Sequence, residues 1–66
     1  MLNETETELM SLIRHSMLPG QEGIKIRAFL AFNRESNLAN IENIQNLQAK
    51  EAILVKDDTI YPLETL

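Results

Sequence analysis

The feature that most constrains this chain is a change of rhythm around residue 51. Before it, Ile41, Ile44 and Leu47 recur every third residue and, on a helix, fall within an arc of about 120°. After it, Ile53-Leu54-Val55 forms a largely β-branched apolar run, Lys56-Asp57-Asp58 a turn cluster, and Thr59-Ile60-Tyr61 a second strand-like run stopped by Pro62. A helix that passes directly into a β-hairpin is therefore expected. Alternation along the strands predicts that Ile53 and Val55 share the inner face with Ile60, leaving Leu54, Thr59 and Tyr61 outward. Pro62 has no amide donor, so its end of the strand is expected at a sheet edge or outside the ladder.

Upstream, residues 3–18 read as an amphipathic helix. Leu9, Met10, Leu12, Ile13, Ser16 and Met17 fall on one half, and Glu4, Thr7, Glu8, Ser11, Arg14 and His15 on the other. Asn3 or Thr5 is the expected cap, and Thr5 with Glu8 fits a capping box. Glu4, Glu6 and Glu8 lie where the helix dipole favours anions, and Pro19-Gly20 ends the helix. Residues 24–33 support two readings. Strict alternation suggests a strand; helix formers in Arg27-Ala28-Phe29-Leu30-Ala31 suggest a helix over residues 27–33, with a short extended piece at residues 24–26 leading into it. As a helix, Ile24, Ala28, Ala31 and Phe32 share a face. Residues 34–40 are polar and turn-forming. The third helix is then capped by Asn37 or Asn40 and ends near Glu51, with Glu42, Asn43, Asn46 and Lys50 pointing outward.

Sixty-six residues make one small domain, residues 1–66, and there is no cysteine to staple its core or hold a metal through thiolate. No apolar run reaches the ~18–20 residues of a membrane span. The acidic start is the opposite of a basic leader. A soluble, cytoplasmic domain is expected, with no membrane partner. The fold class expected is α+β: three helices followed by a C-terminal two-stranded hairpin, with a short extra strand near residues 24–26.

That order resembles a winged helix-turn-helix domain. The resemblance covers residues 24–63 and is carried by Ile41-x-x-Ile44-x-x-Leu47-x5-Ile53 followed by residues 54–61. It implies a third helix packed on the first two through the three-residue rhythm, running into a wing, and it implies DNA binding by that helix and the wing. The chain departs from the family in three places, the first being a turn between the second and third helices that is longer than usual if the second helix stops at Asn33. Glu51-Ala52 stands where the family usually carries glycine before the wing. The third helix and wing tip are also not basic, and the net charge is −4.

The residues then allow two functions. As a DNA-binding transcription regulator, the chain would set Asn43 and Asn46 against bases and Lys25, Arg27, Arg34, Lys50 and Lys56 against phosphates. As an acidic adaptor, it would bind a protein through the helix and wing surface. The apolar excess around Phe29 and Leu30 marks these two as a contact patch, and a homodimer is expected from a small core lacking disulfides. Catalysis has no support: His15 stands alone, so no nucleophile–base pair forms. Asp57-Asp58 lacks the pattern of a calcium loop, and Gly20 and Gly23 lack that of a phosphate loop. No catalytic residue, metal or cofactor is expected.

Overall fold

The computed structural model describes residues 1–63. Helix α1 spans Glu4–His15, strand β1 Ile24–Lys25, helix α2 Ile26–Phe32, helix α3 Ile41–Ala49, strand β2 Ile53–Lys56 and strand β3 Thr59–Pro62. This is an α+β chain of three helices and a three-stranded antiparallel sheet in the order β1-β3-β2. The short extended piece before the second helix is a true strand. Ile24 pairs with Ile60 and Lys25 with Thr59.

The capping box of α1 is Asn3 with Glu6, not Thr5 with Glu8. The Glu6 amide donates to Asn3 Oδ1 at 2.8 Å, and the Asn3 amide to Glu6 Oε1 at 2.9 Å. Asn is as good an N-cap as Thr or better, and its earlier position takes the first turn. The helix stops at His15, short of Leu18, with Ser16 as its cap residue, hydroxyl on the Leu12 carbonyl at 2.8 Å, and with Pro19 disfavouring helical geometry at Leu18.

Helix α2 buries Phe29 completely, while Phe32 is 72% exposed. The face grouping Ala31 and Phe32 with Ile24 is thus corrected. Ile24 belongs to β1, so it sets no helical phase, and α2 turns Phe29 inward. Asn33 fixes the end of α2 by donating to the Phe29 carbonyl and to Ser16 Oγ, which ties α2 to α1.

Asn40 is the cap of α3, its Oδ1 accepting from the Asn43 amide at 2.8 Å. Ile44 and Leu47 enter the core, but Ile41, expected beside them, is 48% exposed. As the first helical residue, Ile41 lies beyond the elements that α3 packs on. The helix ends at Ala49 in a Schellman motif: the Ala52 amide donates to the Leu47 carbonyl and the Glu51 amide to the Gln48 carbonyl, both at 3.0 Å. Glu51 takes the left-handed position, φ 60°, that glycine ordinarily fills. Buried Ala52 then delivers the chain to β2.

In the hairpin, Asp57 and Asp58 have φ of 53° and 59°, the signature of a two-residue type I′ turn. Such a turn makes Lys56 and Thr59 a hydrogen-bonded pair, and pairing alternates from there. The groups of Asp58 and Ile60 therefore point toward β1, and those of Thr59 and Tyr61 toward β2. The bonds from the Ile26 amide to the Asp58 carbonyl and from the Leu63 amide to the Ala52 carbonyl agree. Pro62 consequently lies in the central strand, not at an edge. Its missing donor faces the β1 side, where the two-residue strand has already ended, so no ladder bond is lost.

The core joins Leu9, Met10 and Ile13 of α1 to Ile24, Phe29, Ile44, Leu47, Ala52, Ile53 and Ile60. Ile53 and Ile60 are inward as expected, with Val55 half-buried across from Ile60.

Candidate functional site

The residues singled out for binding fall into three groups. The first is the exposed side of α3, comprising Ile41, Glu42, Gln45, Asn46, Gln48 and Ala49. Asn46 projects there as expected. Asn43 does not: it is half-buried, and its Nδ2 donates to the Leu38 carbonyl at 3.0 Å, which pins the turn before the helix. This amide is a structural strut for the segment between α2 and α3.

The second group is Lys50, expected to point outward as a phosphate contact. Its Nζ lies 2.6 Å from Glu6 Oε1, so it closes an ion pair between the end of α3 and the first turn of α1. Glu6 is the one buried charged residue among the described positions. The Lys50 ammonium, together with the Asn3 amide, holds the Glu6 carboxyl below the usual glutamate range. Glu6 thus serves twice, in the capping box and in the bridge. The helical wheel places Glu6 in line with Leu9, Met10 and Ile13, which marks it for burial; what the wheel does not give is its partner, forty-four residues away.

The third group gathers near the hairpin tip. Lys25 donates to the Asp57 carbonyl at 3.3 Å. A shallow groove of about 520 Å³ runs between α2 and the tip, lined by Lys25, Arg27, Ala28, Ala31 and Asp58. A smaller one of about 260 Å³ lies beside it, lined by Ile26, Arg27, Leu30 and Asp58. Lys56 is exposed on β2, and Arg34 lies in the turn after α2. Among the described residues, none of Lys25, Arg27, Arg34 and Lys56 has a carboxylate within ion-pair distance.

Phe29, expected as a contact residue, is fully buried and is withdrawn from any surface role. Leu30 is half-buried against the smaller groove. The contact patch inferred from the apolar excess is therefore not centred on these two. The exposed large apolar residues of the described elements are Phe32, Ile41 and Leu54.

His15 uses Nδ1 on the Ser11 carbonyl of its own helix, at 2.8 Å. Among the described residues, no cluster of histidine and carboxylate side chains has the geometry to hold a metal ion. No helix among them is long and apolar enough to cross a membrane. Compared with known proteins, the chain has no significant match to a family model, a curated sequence or a solved structure.

Proposed function

We propose that the chain is a small, non-catalytic regulatory binding module of winged-helix type, working in the cytoplasm, whose α3 face and hairpin contact another protein. The observation that carries this reading is the charge of the α3 face. Its exposed side offers amides, one carboxylate (Glu42) and an exposed isoleucine, but no cation. The lysine at its end is already paired with Glu6. A helix lying between two rows of phosphates draws most of its affinity from cations. A face poor in charge and free of cations, with Ile41 exposed at its start, suits a protein partner better than phosphates. The winged-helix type is supported by the succession of α2, α3 and hairpin and by the sheet order β1-β3-β2.

DNA binding is a second reading, favoured by a separate observation: Lys25, Arg27, Arg34 and Lys56 are exposed without carboxylate partners among the described residues. Asn46 and Gln45 would then face adenine, with those four cations on phosphates. A homodimer stays part of the proposal, on the ground that the core is small and has no disulfide, though Phe29 is interior and cannot be its contact.

Affinity capture from native extract, with and without nuclease, separates the readings. A partner retained after nuclease and lost with Ile41→Glu is the expected result. Fluorescence anisotropy with random duplex DNA is expected to show weak binding with a shallow salt dependence. Tight binding with a steep salt slope would overturn the protein reading in favour of DNA.

A further inference from the structure

The helices cover one face of the sheet, and the outer face has a definite pattern set by the strand register. Thr59 of the central strand is flanked by Lys25 on one side and Lys56 on the other. Neighbouring strands lie about 4.8 Å apart, so the two lysines are rooted about 10 Å from one another across Thr59. In the next row along β3, Tyr61 stands opposite Leu54, which is 49% exposed. On its other side is Gly23, whose missing side chain leaves room for the Tyr61 ring and the Thr59 methyl to close in. A basic row thus lies beside an apolar, aromatic row. A single exposed leucine would be ordinary, but here it is matched to a tyrosine and bordered by two cations free of carboxylate partners among the described residues. Lysines on both edge strands also discourage edge-to-edge pairing, which leaves the face as the surface for contact.

We propose that this outer face binds an acidic amphipathic segment of a partner protein, with carboxylates on Lys25 and Lys56 and apolar side chains on Leu54 and Tyr61. The argument for this occupant is charge complementarity: on a chain of net charge −4, Lys25, bonded only to the Asp57 carbonyl, and Lys56 border an apolar pair, neither with a carboxylate partner among the described residues. The proposal rests on the protein-binding reading and deepens its hairpin part by naming the chemistry of the occupant, on a surface separate from α3.

The test is titration of the isotope-labelled chain with a synthetic peptide alternating glutamate with leucine and phenylalanine, followed by amide chemical shifts. Parallel arms use the same peptide with lysine in place of glutamate, and a single-stranded oligonucleotide. The expected shifts centre on Lys25, Leu54, Lys56, Thr59 and Tyr61, and the lysine peptide produces none. Lys25→Glu with Lys56→Glu should weaken binding about tenfold or more, and Leu54→Ser should weaken it without reversing charge. Arg14→Glu, on exposed α1 surface, makes a charge change elsewhere and should leave binding intact. If the double reversal fails to fold, Lys25→Gln with Lys56→Gln takes its place.

Shifts confined to α3, no shifts at all, or equal weakening by Arg14→Glu would overturn the proposal. So would tighter binding of the oligonucleotide on the same face. If the peptide fails while nuclease-resistant capture through α3 stands, only this face is lost. If capture fails while the peptide binds as described, the α3 reading falls and this face remains.

Discussion

The two faces of the sheet are built from the same strands and differ in nearly every property. Ile53 is 2% exposed and its neighbour Leu54 is 49% exposed. Inward go Ile24, Ile53, Val55 and Ile60; outward go Lys25, Leu54, Lys56, Thr59 and Tyr61. The inner set supplies the sheet's share of the core. The outer set carries the only cations on the sheet. Adjacent positions in one strand are therefore under separate demands, one from stability and one from contact with something outside. Substitutions on the two faces should separate in the same way.

The largest effect is expected from Ile53→Ala. Truncating a fully buried isoleucine costs about 2–5 kcal/mol, against a total of roughly 5–15 kcal/mol for a typical domain, with small ones at the low end. Urea denaturation should show the variant unfolded or nearly so; a midpoint close to that of the parent would break the inner-face assignment. Gly23→Ala comes next. A Cβ there would sit 2.7 Å from the Ile60 carbonyl oxygen and 2.8 Å from the Tyr61 ring. The ring can yield but the backbone cannot, so a loss of about 1–3 kcal/mol is expected in thermal melts. A neutral result would mean that β1 and β3 are less closely held than their register implies.

Glu51→Gly should act in the opposite direction. It relieves a left-handed residue in the Schellman motif and should add about 1 kcal/mol. The gain should appear in the denaturation midpoint while the spectra of both sheet faces stay unchanged. Glu6→Gln contrasts a paired lysine with the free ones on the outer face. Because Lys50 lowers the Glu6 pKa in the folded chain, the stabilisation is complete above the ordinary glutamate value and fades as pH falls toward the folded value. Stability curves of the parent and Glu6→Gln, apart at neutral pH, should converge in acid. Parallel curves would show that the bridge contributes no pH dependence. The smallest effect belongs to Leu54→Ala, about 0.5 kcal/mol or less as a surface change. A larger loss would mean that the outer face is covered by its own chain.

Much of this fold was legible because its signals are local. The three-residue rhythm of Ile44 and Leu47, the caps available at Asn3 and Asn40, and the paired aspartates of the hairpin turn act within a few residues. The switch from β1 to α2 near residue 26 was one of the two readings that residues 24–33 allowed. What escaped depended on remote partners. Phe29 and Phe32 are three residues apart in a similar composition, and only the packing of α1 and the sheet decides which is interior. Glu6 shares a helical face with Leu9, Met10 and Ile13, but what neutralises it there is known only when Lys50 arrives from α3. Asn43 reads as a free amide until the turn brings the Leu38 carbonyl within reach. Pro62 argued against a central strand because the length of β1, which removes the conflict, is not written near the proline. The candidate site was less legible than the fold for this reason: whether a cation is spent internally or left free depends on contacts between distant segments.

The two neighbours of β3 lie at very different distances along the chain. β2 meets β3 across a two-residue turn, and such hairpins form in about 1–10 μs. β1 must bring Ile24 to Ile60 across most of the chain, and that closure costs entropy before any pairing repays it. Lys56, Thr59 and the Leu54–Tyr61 pair are thus brought together by local contacts alone. Lys25 joins their row only when α2 and α3 have folded the chain back on itself. The row with both lysines exists only once β1 has docked on β3, so a partner that needs both recognises the folded chain and not the isolated hairpin.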